Sequence, residues 1–286
     1  MPFIVGVPRS GTTLLRFMLD SHPSLAIPPE TGFVARPLGW LRLASPREAL
    51  FRSVTRLPFK SGPWQDFGVD AREFRRELEK IEPFDVGEGF RTFYRLYARY
   101  QNKPRYGDKT PLYCKHVAKI EKLLPEAHFI HIIRDGRDVS LSLRPLWFAP
   151  GQDMQTLALY WRQLIQQTRA AGHQCRAYTE IRYEQLVIDP EPALRLICNF
   201  LELDFDSAML RYWLRVGQRL REHKACRGNM GRTLVTQEQR RAQQRLTLGP
   251  PQVERVSCWK KDMTPAERAE FLGVAGDMLK TLGYEI

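Results

Sequence analysis

A glycine-containing segment near the start of the chain has the residue types of an anion-binding loop. In Gly6-Val-Pro-Arg-Ser-Gly-Thr-Thr13 two glycines flank four residues and a polar pair follows, which is the spacing of a phosphate-binding loop. Such a turn directs backbone N–H groups and the positive end of a helix at an oxyanion, and Ser10, Thr12 and Thr13 add hydroxyl donors. Thr12 stands where these loops usually carry lysine, so Arg9 is the expected source of charge. The alternative is an ordinary strand-to-helix turn in which the threonines cap the helix.

A second arginine follows the clearest apolar run of the chain. The run at 127–133 is short and apolar, which predicts a buried strand that ends just before Arg134. Ser142 then falls about two turns into the next helix. A phosphate could bridge Arg134 and Ser142, and the alternative is a structural ion pair between Arg134 and Asp135.

Strands and helices alternate in the parts of the chain that must position these residues. The sequence predicts strands at 3–7, near 105–110, at 127–133 and at 176–182, and helices at 12–19, up to 124, at 138–147, at 154–170 and at 265–282. This alternation predicts an α/β fold of the P-loop type, with a central parallel β-sheet flanked by helices and ligands at the carboxyl ends of the strands. After Pro190 the chain is expected to be mainly helical. We predict one domain over 1–286, with a helical insertion at about 37–84 that covers the site.

The composition limits the class of protein. The chain has 286 residues, 44 Lys and Arg against 32 Asp and Glu, a formal charge of +12, and 43% hydrophobic residues. This apolar content is sufficient for a packed core and excludes a disordered chain. No apolar run approaches the roughly 18 residues of a membrane span, and no secretory signal is expected. The cysteines are far apart and lack metal-ligand spacing, so we expect reduced thiols, a cytoplasmic location and no metal.

Positive charge is densest at 211–245. The arginines from Arg211 to Arg219 recur at helical spacing, which predicts a solvated helix face. A nucleic-acid surface would also need interleaved aromatic residues, and beyond Tyr212 and Trp213 this segment has none. We therefore expect no nucleic-acid partner.

Taken together, the motifs resemble one known family. Pro8-Arg-Ser-Gly-Thr-Thr-Leu-Leu15 resembles the 5′-phosphosulfate loop of sulfotransferases that use 3′-phosphoadenosine 5′-phosphosulfate (PAPS). Met18-Leu-Asp-Ser-His-Pro23, followed by Glu30-Thr31, resembles the tyrosylprotein branch of that family. The segment from Ile132 to Ser142 is similar to the family's 3′-phosphate motif, and Arg182-Tyr-Glu-Gln-Leu186 to the segment whose tyrosine contacts the nucleotide. The motifs also follow the family's order.

The resemblance implies a role for each site residue. It makes Glu30, which lies on a proline-stiffened segment, the general base, and Lys109 the lysine that stabilises or protonates the bridging oxygen, with Arg9 beside them. The donor-binding residues that it implies are Arg9, Ser10, Gly11, Thr12, Thr13, Arg134, Ser142 and Tyr183, with no metal. The alternatives are a surface glutamate and an exposed loop lysine. His22, in the turn that ends the first helix, is a weaker base candidate, and His116 comes after it.

The C-terminal part departs from the tyrosylprotein pattern. That branch has a C-terminal serine that helps to hold the sulfonate, and the candidates here are Thr247 and Ser257. Its Ser-Lys-Trp segment is represented by Ser257-Cys-Trp259, so Lys260 or Lys261 would have to replace the lysine.

The resemblance therefore implies sulfonyl transfer from PAPS to a hydroxyl by in-line displacement, with 3′-phosphoadenosine 5′-phosphate (PAP) as the product. The acceptor is left open among a peptide tyrosine, a small molecule, a lipid, a carrier-bound hydroxyl and a sugar. Luminal family members have cysteines near the positions of Pro28 and Gly107, which argues against a secretory location and a peptide tyrosine. The alternatives are a P-loop phosphotransferase of the kinase kind, which would need Mg²⁺ and the missing lysine, and a non-catalytic nucleotide-binding protein. A homodimer is compatible with the sequence.

Overall fold

The computed structural model describes residues 1–36, 45–56, 63–227 and 233–286. Its strands, in chain order, are β1 (Pro2–Val5), β2 (Leu25–Ala26), β3 (Arg105–Tyr106), β4 (Asp108–Lys109), β5 (His128–Ile133), β6 (Tyr178–Arg182), β7 (Cys226–Arg227) and β8 (Thr233–Val235). The central sheet has the order β4-β1-β5-β6, and each neighbouring pair in it is parallel. A parallel β2–β3 pair and an antiparallel β7–β8 pair lie outside it.

Helices connect and cover these strands. They are α1 (Thr12–Asp20), α2 (Pro46–Thr55), α3 (Ala71–Glu79), α4 (Val86–Tyr100), α5 (Val117–Leu123), α6 (Gly136–Leu143), α7 (Met154–Gly172), α8 (Tyr183–Ile188), α9 (Pro190–Phe200), α10 (Trp213–Leu220), α11 (Gln237–Ala242), α12 (Trp259–Asp262) and α13 (Pro265–Thr281). Short 3₁₀ turns at Trp64–Phe67, Pro111–Lys115, Ser207–Arg211, Arg245–Thr247 and Val253–Arg255 join some of them. The part after Pro190 is mainly helical, as predicted, with the β7–β8 pair added.

The central sheet is buried on both faces. Phe3 of β1 packs into one apolar cluster with residues of α4 and α7, whereas Ile4 packs into a second cluster with residues of α1 and α9. Phe129 and Ile130 of β5 divide between the same two clusters. Successive side chains of a strand point to opposite faces, so apolar runs such as these are typical of a parallel sheet between two helical layers. The predicted α/β fold is confirmed.

The helix after β5 begins and ends earlier than the predicted 138–147. It begins at Gly136 because the Asp135 carboxylate accepts a hydrogen bond from the N–H of Arg137, at 2.9 Å. It ends at Leu143 because Pro145 has no N–H to donate to the carbonyl four residues before it. Ser142 therefore lies in the last turn of α6.

Part of the predicted insertion, at 37–44 and 57–62, lies outside the described residues. The remainder forms α2, a 3₁₀ turn and α3. Aromatic rings attach this part to α4, since the rings of Trp64 and Phe67 lie 5.8 and 5.0 Å from that of Phe93. Phe33 is also 5.0 Å from Phe93. The segment thus packs against the stretch that follows Glu30, and its function as a cover over the site stays a prediction.

The predicted solvated face at 211–219 is wrong for Arg219. Its side chain is buried, and its Nε lies 2.7 Å from Oδ2 of Asp20 on α1. A second ion pair joins it to Glu222, and Nη1 donates to the side-chain oxygen of Gln101 at 2.7 Å. Arg219 therefore ties α10 to α1 and α4, whereas Arg215 on the same helix is exposed.

Candidate functional site

The loop between β1 and α1 has the backbone of an anion-binding turn. Arg9 and Gly11 have φ angles of 77° and 94°, so two left-handed residues reverse the chain just before the helix. A Cβ at Gly11 would lie 2.3 Å from Cδ2 of Tyr183. Glycine is needed there both for the conformation and for the close approach of this ring.

The start of α1 presents backbone N–H groups and the Ser10 hydroxyl. Within the described ranges, no side chain accepts a hydrogen bond from its first turn. The Ser10 hydroxyl is fully buried and is without a hydrogen-bond partner among those same residues. Because an unsatisfied buried donor is costly, an oxyanion bound by the N–H groups and by Ser10 would fit this turn.

The structure brings the two predicted anion motifs together. Arg9 donates from Nε to Oγ of Ser142 at 3.1 Å, and Arg134 donates from Nη1 to the carbonyl of Arg9 at 3.2 Å. The Arg134 guanidinium lies 4.5 Å from the ring centre of Tyr183. Burial, and then the charge of Arg134, lower the pKa of Arg9. Two cations thus converge at the carboxyl ends of β1 and β5, an arrangement that favours an anionic ligand.

The proposed ion pair between Arg134 and Asp135 is wrong. Asp135 pairs with Arg137 at 2.7 Å. Arg134 instead donates from Nη2 to the carbonyl of Arg255 at 2.7 Å and lies 3.5 Å from the carboxylate of Asp138. A C-terminal segment therefore forms one side of the arginine site.

Asp138 holds this C-terminal segment in place. Its carboxylate accepts hydrogen bonds from the N–H groups of Ser257 and Trp259, at 3.0 and 2.9 Å. The Lys260 ammonium pairs with Glu285 at 2.5 Å, and the Thr247 hydroxyl donates to the carbonyl of Gln244 at 2.7 Å. The structure thus places Ser257 beside the Arg134 site. The Thr247 hydroxyl is instead hydrogen-bonded to a nearby backbone carbonyl of its own turn.

Glu30 and Lys109 meet beside the loop. Nζ of Lys109 lies 2.6 Å from Oε1 of Glu30 and 3.4 Å from Oγ1 of Thr13. The exposed fraction of the Lys109 side chain is 2%, so the alternative of an exposed loop lysine is wrong, whereas that of Glu30 is 43%. Burial lowers the pKa of Lys109, and the charge of Glu30 opposes that shift. A solvent-accessible carboxylate and a buried ammonium are suited to remove a proton and to stabilise developing negative charge.

His22 is poorly placed to act as a base. Its Nδ1 accepts from the N–H of Ser24 at 3.0 Å, and its Nε2 lies 2.9 Å from the carbonyl of Asp204. Both ring nitrogens are therefore engaged by the backbone, with the proton on Nε2. His116 lies at the surface, beyond the 3₁₀ turn that follows β4. These positions favour Glu30 as the base.

Arg16 is a site neighbour that the sequence reasoning missed. It is buried and donates from Nε to the carbonyl of Ile27 at 3.1 Å. Its charge also lowers the pKa of Lys109, as a smaller cause than burial and the opposing charge of Glu30. The signal was present, because Arg16 follows Thr12 by four residues on α1 and so shares its face of the helix.

Three further features of the described residues concern the metal, membrane and cysteine predictions. No group of three or more His, Cys, Asp or Glu side chains in those ranges could hold a metal ion. No helix within them is long and apolar enough to cross a membrane. The cysteines, which are Cys114, Cys175, Cys198, Cys226 and Cys258, are all free thiols.

Comparison with known proteins points to one family. A model of the sulfotransferase family matches residues 3–207. Protein-tyrosine sulfotransferase A of Caenorhabditis elegans is 31% identical over 76% of this chain and 53% of its own length. Protein-tyrosine sulfotransferase 1 of Danio rerio is 26% identical over 99% of this chain and 72% of its own length. Among solved structures, the sulfotransferase domain from the Synechococcus PCC 7002 olefin synthase superposes with a TM-score of 0.64 at 24% identity, covering 100% of this chain and 95% of that one. The chain thus spans about half to seven-tenths of these two curated relatives and has the fold of the solved domain.

Proposed function

Because the chain belongs to the sulfotransferase family, we propose that it transfers a sulfonyl group from PAPS to a hydroxyl acceptor and releases PAP. The observation that carries this proposal is the position of Nζ of Lys109, within 2.6 Å of Glu30 and 3.4 Å of Thr13. This buried cation joins the anion-binding turn to a solvent-accessible carboxylate that is suited to act as a base.

The polar groups of the loop suit the anionic groups of the donor. The free N–H groups of the first turn of α1 and the unpartnered Ser10 hydroxyl would hold the 5′-phosphosulfate. Arg134 and Ser142 would hold the 3′-phosphate, with Arg9 between the two anions. The Tyr183 ring, which packs on Gly11 and Arg134, would border the nucleotide.

The transfer is a displacement at sulfur. The acceptor oxygen attacks the sulfur, the bond from sulfur to the phosphate oxygen breaks, and its electron pair goes to that oxygen. Glu30 takes the acceptor proton, and the Lys109 ammonium stabilises the charge on the leaving oxygen. Since burial lowers the pKa of Lys109, this group can also give a proton to the leaving oxygen.

The chemistry requires the Glu30–Lys109 pair to separate. A Glu30 carboxylate 2.6 Å from the Lys109 ammonium is held in an ion pair, which competes with the acceptor hydroxyl for the same carboxylate. The phosphosulfate would offer Lys109 a competing anion, which would release Glu30 toward the acceptor. Donor binding before acceptor activation follows from this geometry.

The test is Glu30→Gln, which keeps the side-chain shape and removes the base. We expect kcat to fall roughly 10²- to 10⁴-fold while affinity for PAP stays unchanged. The rate should fall more with an alcohol acceptor than with a phenol, because a phenol with a pKa near 10 loses its proton more readily. The measurement is the rate ratio of wild type to variant for one alcohol and one phenol at saturating PAPS.

Glu79→Gln is the control, since Glu79 is an exposed glutamate on α3 and should leave the rate unchanged. A ratio near one for both acceptors would remove Glu30 from catalysis. Transfer of phosphate from Mg²⁺-ATP, or tight PAP binding with no transfer to any acceptor, would favour the phosphotransferase or the non-catalytic reading instead.

We extend the proposal to the acceptor and the compartment. The two curated relatives are named for protein tyrosine, so a tyrosine peptide is the first acceptor to assay, followed by an aliphatic alcohol. The five free thiols support a reducing compartment such as the cytoplasm. Fractionation of cells that express the tagged chain tests the compartment, and sedimentation tests for a homodimer.

A further inference from the structure

A buried carboxylate lies directly beside Lys109 and has no role in the proposed chemistry. Asp108 is completely buried, and its Oδ2 accepts hydrogen bonds from Oγ1 of Thr31 at 2.6 Å and from the hydroxyl of Tyr94 at 2.7 Å. The Thr31 hydroxyl is also 2.9 Å from that of Tyr113. The N–H of Thr31 donates to Oγ1 of Thr110 at 3.1 Å. Thr31 is thus held by its side chain and by its backbone.

These contacts form the second of two links between the same pair of segments. Glu30 contacts Lys109, and the adjacent Thr31 contacts the adjacent Asp108. In the register of the sheet, Asp108 lies opposite Phe3 and Lys109 opposite Ile4, and these two residues of β1 point to different faces. Because side chains alternate along a strand, the two links lie on opposite faces of β4.

The two links differ in chemistry. The link at Lys109 joins two charges, one of which is accessible to solvent. The link at Asp108 is completely buried and uses neutral hydroxyl donors from α4 and from the segment after Glu30. Burial raises the pKa of Asp108 to about 6 although the hydroxyls and the nearby Lys109 charge oppose the shift. At neutral pH it is an ionised acceptor, whose hydrogen bonds are stronger than those of a neutral group.

We infer that Thr31 and Asp108 are positioning residues. They hold the Glu30 carboxylate beside Lys109, where it can reach the acceptor hydroxyl that attacks the sulfur. The inference rests on the proposed function. When Lys109 turns from Glu30 to the phosphosulfate, the Thr31–Asp108 link is the contact that keeps the Glu30 backbone in place. Displacing a catalytic group by about 1 Å costs up to roughly 10²-fold in rate.

The test compares Thr31→Val, which keeps the shape and removes the hydroxyl, with Thr31→Ser, which keeps the hydroxyl. We expect Thr31→Val to lower kcat about 10- to 100-fold, with less than about a 2-fold change in the KM for PAPS and in the affinity for PAP. Thr31→Ser should restore kcat to within about 3-fold of wild type. A residue that merely stabilised the fold would not separate kcat from donor binding in this way.

Thr168→Val is the matched control. Thr168 is also a completely buried threonine, and its hydroxyl donates to the carbonyl of Leu164 within α7 at 2.6 Å. It should lose stability as Thr31→Val does and keep the wild-type kcat. If Thr31→Val does not fold, Tyr113→Phe replaces it, because this change removes the hydroxyl that contacts Thr31 and that accepts from the N–H of Val34 at 2.9 Å. We expect Tyr113→Phe to lower kcat at least 3-fold with donor affinity unchanged.

The outcomes separate the inference from the function on which it rests. An active wild type with an equally active Thr31→Val, or Tyr113→Phe in its place, overturns the positioning role alone. Equal losses in Thr31→Val and Thr168→Val, or no rescue by Thr31→Ser, also overturn it. A wild type that transfers no sulfonyl group to any acceptor overturns both.

Discussion

Two arginine sites in this protein, the half-buried Arg9 with the buried Arg134 and the buried Arg219, have opposite surroundings. At the loop, Arg9 and Arg134 face each other's charge, and the carboxylate of Asp138 lies 3.5 Å from Arg134. Beneath α1, Arg219 pairs with both Asp20 and Glu222. Burial alone would raise the pKa of Asp20, but Arg219 and other nearby cations hold it below its ordinary value. Positive charge is left over at the first site and neutralised at the second.

The difference shows how the function of a buried arginine is decided. An arginine matched by carboxylates serves the fold, because its removal leaves buried anions uncompensated. Where two arginines lie together beside one carboxylate, as Arg9 and Arg134 do near Asp138, positive charge remains that can bind an anion from outside. The spacing of the arginines in the sequence does not show which of them pair with carboxylates and which can bind an anion.

The largest expected effect tests the neutralised site. Arg219→Met should lower the free energy of unfolding by about 3–5 kcal/mol, because the buried Asp20 and the half-buried Glu222 would both lose their ion pair with Arg219. Arg215→Met on the same helix is the control and should change stability by less than about 0.5 kcal/mol. Urea unfolding gives both values. A small loss in Arg219→Met would show that these carboxylates do not depend on Arg219.

A second prediction extends the comparison to Asp108, a carboxylate matched by hydroxyls instead of arginine. Its pKa of about 6 in the folded protein lies above the unfolded value, so the folded state holds the proton to higher pH. Stability from this group is therefore full below about pH 4 and is lost as the pH rises through about 6. Relative to Asp108→Asn, the wild type should lose about 3 kcal/mol over that range. Urea unfolding of both proteins at several pH values measures the gap, and a gap independent of pH would contradict the assignment.

The smallest effects test the unneutralised site. Arg134→Ala should weaken PAP binding roughly 10- to 100-fold, and Ser142→Ala roughly 2- to 10-fold, since a charged contact to phosphate is stronger than a neutral one. Both variants should bind adenosine 5′-phosphosulfate, which has no 3′-phosphate, nearly as wild type does. Calorimetry with the two nucleotides measures this difference. Equal losses for both nucleotides would separate these residues from the 3′-phosphate.

The parts that the sequence predicted well are those governed by neighbouring residues. β1, α1 and β5 follow from short apolar runs, helical periodicity and glycine or proline boundaries. The meeting of the Arg9 loop with Arg134 follows because parallel strands bring their carboxyl ends to one edge. The family resemblance then singled out Glu30 as the base, whereas the residues alone did not exclude an ordinary surface glutamate.

The parts that it missed depend on contacts between distant segments. Arg219 was expected on a solvated face because its spacing is helical, and nothing local shows that Asp20, 199 residues earlier, packs against it. The Thr31–Asp108 contact spans 77 residues and joins two residue types with no motif in common. Such pairs are fixed only when the two helical layers close on the sheet.

The attachment of Ser257 and Trp259 to Asp138 has a consequence for how this protein can be divided at the gene level. The family model matches residues 3–207, yet the backbone that contacts Arg134 and Asp138 comes from 255–259. The shared region and the folded, working unit therefore have different ends. A recombinant chimaera joined near residue 207 would keep the loop, Arg134 and Tyr183 motifs but would lose the 255–259 segment that forms one side of the arginine site. Domain swaps with a relative should therefore exchange the segment that contains residues 255–259 together with α6.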